Sequence, residues 1–223
     1  REFLVKTAHM TVAEQLLKAL HDRGIEYVFA NAGTDFAPII EALVAASQKG
    51  NSAPTFMTVP HENVAIAMAQ GYYRISGKPA GVMVHVTVGT ANTICGLMNS
   101  SRDNIPVLLM AGRTPVTEYG NIGSRNIGIH WGQENFDQGG MVREYVKWDY
   151  ELRSNQPVDT LVGRALDIAI SEPRGPVYLT LPREVLGEPG KAATNRVRSR
   201  PLGNAISVPD LATLEQAADM VLA

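Results

Sequence analysis

At 223 residues, with 45% hydrophobic and 19% charged side chains, the chain is long enough for one substantial globular domain and a remnant, and tight for two. A formal charge of -2 gives no electrostatic reason to expect nucleic acid or an anionic membrane as a partner, and a lone cysteine, Cys95, excludes an internal disulfide. Nothing reads as a secretory signal or as a membrane span of roughly 20 apolar residues, so the cytoplasm is the expected compartment.

Thr11 followed by Glu14 predicts a capping box, and Val12, Leu16, Leu17 and Leu20 form the apolar stripe of a first helix that stops before Gly24. Residues 25–30 read as a strand that delivers the loop Asn31-Ala32-Gly33-Thr34-Asp35. A helix over 38–47 follows, then turn residues at 50–54, a strand at 55–59 and a helix from 62 to about 76, which Gly77-Lys78-Pro79 breaks. Residues 81–86 are apolar on both faces, as a central parallel strand should be. Thr87-Val88-Gly89-Thr90 is then expected to turn the chain into a helix over 91–102, whose small residues permit close approach to another element or to a ligand. A strand at 106–111 leads into the long stretch 112–137, which carries five glycines and little periodicity; so long a loop in a compact domain is more often functional than incidental. A short strand at 144–148, a helix at 158–171 and a sixth strand at 176–181 complete the pattern.

This alternation predicts a doubly wound, six-stranded parallel sheet with helices on both faces, flavodoxin-like, spanning 1–188. Residues 189–209 turn to Gly, Pro, Asn and Arg and read as a linker; Lys191, Arg196, Arg198 and Arg200 within it suit a solvated segment better than a phosphate site. Residues 210–223 have a cap and helical spacing and read as the start of a truncated further domain.

Ligands of open α/β sheets bind beyond the carboxyl ends of the strands, and that edge collects the loops at 31–35, 61–62, 85–92 and 112 onward. No G-x-G-x-x-G follows the first strand, no P-loop or nucleophile-elbow spacing occurs, and no transition-metal cluster is evident. What remains is Glu62, a single carboxylate between an apolar strand and the apolar run Ala65-Ile66-Ala67-Met68-Ala69, where it is poorly solvated. Such a placement means either chemistry or an ordinary first-turn helix acid.

The run His61-Glu62-x-x-Ala65-x-x-Met68-Ala69-x-Gly71-Tyr72-x-Arg74-x-Ser76-Gly77-x-Pro79 resembles the amino-terminal pyrimidine-binding domain of thiamine-diphosphate-dependent enzymes, of the acetolactate synthase and benzoylformate decarboxylase type. Gly89-Thr90-x-Asn92, Ile105-Pro106-Val107 and Gly175-Pro176-Val177-Tyr178-Leu179-x-Leu181-Pro182 continue the likeness in order, over roughly residues 10 to 188.

The resemblance implies that Glu62 shares a proton with the pyrimidine ring of thiamine diphosphate, the step that lets the cofactor form its ylide. The cofactor carries the carbon chemistry and the protein orients it. Val84-His85-Val86-Thr87 is closer to benzoylformate decarboxylase, which implies that His85 relays protons to the substrate; the alternative is a neutral histidine hydrogen-bonded at a strand end. Thr34 either holds a substrate carboxylate or belongs to the turn and caps the next helix, and the resemblance makes Gly33, in the same loop, a candidate for cofactor binding. Thr90 and Asn92 either stand near the pyrimidine or stabilise the turn. Gln133-Glu134 is closer to acetolactate synthase, which makes Gln133 a second candidate for substrate contact, while His130 and Trp131 have no family role beyond loop packing.

The expected activity is therefore decarboxylation or carboligation of a 2-oxo acid by a homodimer or homotetramer, with no role for nucleic acid or a membrane. Magnesium and the diphosphate would be bound by a domain marked by Gly-Asp-Gly, a sequence this chain lacks, so the chain alone is expected to be inactive. A non-catalytic cofactor-binding or regulatory module, or one subunit of a two-chain decarboxylase, is the alternative.

Overall fold

The structure is a computed structural model that describes residues 10–190 and 208–223. Helix α1 (Val12–Asp22) begins with the predicted capping box: Thr11 Oγ1 accepts the Glu14 N–H at 3.1 Å, and Glu14 Oε2 accepts the Thr11 N–H at 2.7 Å. The cap sets where the helix starts, and packing holds it. Leu16, Leu17 and Leu20 are buried and contribute roughly 1.5–3 kcal/mol each, against about 1 kcal/mol for a cap.

The chain continues through β1 (Tyr27–Ala30), a 3₁₀ turn (Thr34–Phe36), α2 (Ala37–Lys49), β2 (Thr55–Thr58), α3 (Glu62–Ser76), β3 (Ala80–Val84), α4 (Val86–Asn92) and α5 (Ile94–Arg102). Then come β4 (Val107–Arg113), α6 (Ile129–Gly132), a second 3₁₀ turn (Gly139–Met141), β5 (Asp149–Glu151), α7 (Val158–Ile170), β6 (Val177–Pro182), α8 (Arg183–Leu186) and α9 (Leu211–Leu222). The strands make one parallel six-stranded sheet in the order β2-β1-β3-β4-β6-β5. The winding reverses between β1 and β3, so the crevice at their carboxyl ends is where a ligand is expected.

Both faces of the sheet are covered. Along β4, Leu108 and Met110 join the core beneath α1, α2 and α7, while Val107, Leu109 and Ala111 join the core beneath α3 and α5. The small residues of the helix expected at 91–102 serve another element: a Cβ on Gly96 would come within 2.8 Å of Ile66 Cβ on α3.

Three boundaries differ from expectation. β3 ends at Val84, and helix begins at Val86 instead of a turn over 87–90. Val86, Thr87, Val88 and Thr90 favour strands locally, but the first N–H of α4 is capped by Asp35, 51 residues away, a contact that local propensity does not contain. Thr93, whose hydroxyl donates to the Thr90 carbonyl at 2.7 Å, then divides the helical segment into α4 and α5. The edge strand lies at Asp149–Glu151 and not at 144–148, because Tyr145 and Val146 spend their apolar character packing on the core. Within 112–137, β4 runs on to Arg113 and α6 occupies Ile129–Gly132.

Pro189 pairs with Thr11 in an antiparallel bridge, so the first residues assigned to the linker return to the domain. Lys191, Arg196, Arg198 and Arg200 lie outside the described residues. The expected last helix is α9, with Asp210 Oδ1 accepting the Thr213 N–H at 3.0 Å.

Candidate active site

The loop after β1 is tied to both neighbouring strands, since the Asn31 side chain donates to the Val59 carbonyl and its N–H donates to the Met83 carbonyl, each at 3.0 Å. Gly33 then passes against His85 so closely that a Cβ there would overlap the imidazole. The 3₁₀ turn buries Asp35, whose Oδ1 lies 2.6 Å from His85 Nδ1 and whose Oδ2 accepts the Val86 N–H at 3.2 Å. On the other side Gly112 leaves the room, because a Cβ there would overlap the Asp35 carboxylate. Val86 has φ 32°, a conformation that costs a β-branched residue on the order of 1–3 kcal/mol and that the bond to Asp35 helps to hold.

The far nitrogen of His85, Nε2, lies 3.0 Å from the side-chain nitrogen of Gln133. One neutral tautomer satisfies both contacts: Nδ1–H donates to Asp35, and Nε2 accepts from the Gln133 amide. The hydrogen bond to Asp35 raises the His85 pKa above its ordinary value; burial opposes the rise, and the negative charges of Asp35 and Glu62 add to it. Gln133 is itself held, its carbonyl accepting from Thr87 Oγ1 at 3.1 Å.

Glu62 opens α3 directly after the N-cap residue His61, whose Nδ1 accepts the Asn63 N–H at 3.1 Å. Its carboxylate is buried, and Oε2 accepts from Asn92 Nδ2, at the end of α4, at 3.1 Å. No described residue hydrogen-bonds Oε1. Two pairs of sequence-predicted residues are thus brought together, Glu62 with Asn92 and His85 with Gln133, with Gly33 beside the second pair.

Thr90 is placed differently. It is fully buried and belongs to a directed chain in which Gln138 Nε2 donates to Tyr178 OH at 2.8 Å, Tyr178 OH donates to Thr90 Oγ1 at 2.8 Å, and Thr90 Oγ1 donates to the Val86 carbonyl at 2.7 Å. It supports α4 from beneath and does not line the rim. Burial raises the Tyr178 hydroxyl above its ordinary pKa, so it remains a donor. Thr34 is exposed and makes no capping hydrogen bond; it shares a narrow cleft with Arg113, Thr114, His130, Gln133 and Arg183. In that cleft Thr114 Oγ1 and His130 Nδ1 are buried without a hydrogen-bond partner among the described residues. Burial, and then the charges of Arg183 and Arg125, hold His130 below its ordinary pKa. Trp131 packs under the Arg125 guanidinium, 4.3 Å from its ring centre, as loop packing requires.

Asp35, Gln138 and Tyr178 were not legible as parts of the site. Asp35 stands in a loop whose Gly-Thr-Asp composition reads as turn chemistry, and the signal that it is buried, the space left by Gly112, comes from another strand. Among the described residues no group of three or more His, Cys, Asp or Glu comes together to hold a metal ion.

A buried acid, Glu62, and a carboxylate-bound histidine, His85, thus stand at the β1/β3 switch edge of a parallel α/β domain, the edge at which ligands of such folds bind. The family described as thiamine pyrophosphate enzyme, N-terminal TPP binding domain, matches residues 10–141, and the chain belongs to it. Membership implies thiamine diphosphate as the cofactor. Benzoylformate decarboxylase of Pseudomonas aeruginosa is 28% identical over 208 residues, which is 93% of this chain and 36% of that protein. The acetolactate synthase large subunit of Buchnera aphidicola is 29% identical over 179 residues, 80% of this chain and 29% of that one. The crystal structure of benzoylformate decarboxylase from Polynucleobacter necessarius superposes with a TM-score of 0.73 at 22% identity, over 96% of this chain and 36% of that one, and so shares the fold. The chain thus spans about a third of the length of these relatives.

Proposed function

We propose that this chain forms the pyrimidine half of the active site of a thiamine-diphosphate-dependent enzyme that decarboxylates a 2-oxo acid or joins two carbonyl fragments. The observation that carries this is Glu62: a buried carboxylate at the switch edge, with Oε2 fixed by Asn92 and Oε1 not hydrogen-bonded by any described residue. That donor set fits a heteroaromatic ring nitrogen, with which a carboxylate shares a proton at one oxygen while the other is held still. Thiamine diphosphate, when bound, supplies the nucleophilic carbon and the electron sink for chemistry at a 2-oxo group. The protein's part is to orient the ring through Glu62 and Asn92 and to move protons at His85 Nε2. Gly33 permits the loop to approach.

Thr34 and Gln133 are the residues we assign to substrate contact; they border one narrow cleft with Arg113 and Arg183, whose charges favour a carboxylate nearby. The diphosphate and Mg2+ are assigned to residues outside this chain, in a homodimer or homotetramer of the full-length enzyme. The mixture of decarboxylase-like and synthase-like relatives supports the reaction class without choosing within it.

The experiment is carbon dioxide release from pyruvate and benzoylformate by the full-length enzyme, together with deuterium exchange at the thiazolium carbon. Glu62→Gln should suppress both. Exchange at the parental rate in Glu62→Gln would sink the assignment of Glu62.

A further inference from the structure

We propose that Asp35 is a positioning residue that fixes the proton of His85 on Nδ1, so that Nε2 alone faces the reaction as its proton acceptor and donor. The proposal rests on the assignment of His85 to proton transfer and names the residue on which that role depends.

Four observations from separate parts of the chain converge on Asp35. Its carboxylate is 3% exposed, a burial that calls for specific partners, and it has two: His85 Nδ1 at 2.6 Å and the Val86 N–H at 3.2 Å. Gly33 and Gly112, from the loop after β1 and from β4, are each the residue at which a Cβ would overlap one member of the pair, Gly33 against the imidazole and Gly112 against the carboxylate. Gln133 presents its amide to Nε2 at 3.0 Å, the complement of a ring that carries its proton on Nδ1. Val86 holds φ 32° directly after His85, and the carboxylate oxygen not used by the imidazole accepts its N–H.

An imidazole can turn about its side-chain bonds and exchange tautomers, and a buried carboxylate on one nitrogen removes both freedoms. It also favours the protonated ring, and the direction of the His85 pKa agrees. The charged groups that act on the ring are Asp35, from the turn after β1, and Glu62, from α3, both negative. Arg113 and Arg183, from the ends of β4 and the start of α8, line the adjoining cleft. In the cycle this describes, the Gln133 amide gives up its place at Nε2, which then takes a proton from the substrate or returns it, and the Nδ1 proton stays on the hydrogen bond to Asp35.

The test uses the full-length protein and two readouts. The first is the pH dependence of deuterium exchange at the His85 ring C2, followed by mass spectrometry, which needs no turnover. The parent should titrate above the ordinary histidine value of about 6.5, and Asp35→Asn should titrate lower than the parent. A parental midpoint at or below the ordinary value overturns the proposal even if Asp35→Asn fails to fold, and so does an Asp35→Asn midpoint equal to the parent's. The second readout is a double-mutant cycle on turnover. Asp35→Asn should lower kcat roughly 10- to 100-fold with a smaller change in KM, and adding it to His85→Ala should cost nothing further. A loss that adds fully to that of His85→Ala shows that Asp35 acts on the fold and not through His85. If His85→Ala itself keeps parental turnover, the role of His85 fails, whereas the exchange midpoints still report on the Asp35 contact.

Discussion

Gly33 and His85 are packed so that the loop after β1 is in contact with the imidazole where a side chain would begin. Alanine at residue 33 must therefore displace either the loop or the ring, which among the described residues is hydrogen-bonded by Asp35 and Gln133. Gly33→Ala is expected to keep its fold and to lower turnover on the order of 10²-fold, the usual effect of moving a reacting group by about 1 Å. Circular dichroism and steady-state rates on the same preparation check this. Parental turnover in Gly33→Ala would mean that the position of His85 does not matter.

Asn92 fixes one oxygen of Glu62. A hydrogen bond to a charged group is worth about 1.5–3 kcal/mol, so Asn92→Ala should lower turnover roughly 10- to 100-fold. Because Asn92 is exposed at the helix end, water replaces part of the lost bond, and the unfolding free energy read by urea should fall by less than that bond's full worth. Isothermal titration with thiamine diphosphate and Mg2+ separates an effect on cofactor binding from an effect on the subsequent chemistry.

The His85–Asp35 pair makes stability depend on pH in a stated direction. His85 titrates higher in the fold than in the unfolded chain because Asp35 binds its protonated form. The stabilisation is therefore fully present below the unfolded value of about 6.5 and is lost as pH rises through the higher folded value. Comparing urea midpoints of the parent and His85→Gln should show the largest gap in favour of the parent near pH 5.5 and a smaller gap near pH 8.5. A gap that widens with pH contradicts the pairing.

Tyr178 links the two 2.8 Å bonds beneath α4, from Gln138 and to Thr90. Tyr178→Phe removes both while leaving Gln138 on the Gly112 carbonyl and Thr90 on the Val86 carbonyl. The expected cost is about 1–3 kcal/mol of unfolding free energy, read by urea denaturation, with turnover within a few-fold of the parent. A loss of turnover much larger than the loss of stability would place Thr90 at the rim after all.

The layers and the rim were legible in the sequence because their signals are local. The Thr11–Glu14 cap, the continuous apolar run of β4, and Gly50 and Gly77 at φ 65° and 71° closing α2 and α3 each depend on a few neighbouring residues. Glu62 could be singled out the same way, as a carboxylate set against an apolar run, and the spaced motifs around it carried the family. Only the tertiary structure decided what each acid and histidine touches. Asp35 meets His85 across 50 positions, Asn92 meets Glu62 across 30, and Thr90 turns inward to Tyr178 across 88. These contacts arise because parallel strands bring distant loops to one edge, so a segment such as Val86–Asn92, with strand-like residues and a cap donated from elsewhere, becomes a helix for reasons its own sequence does not carry.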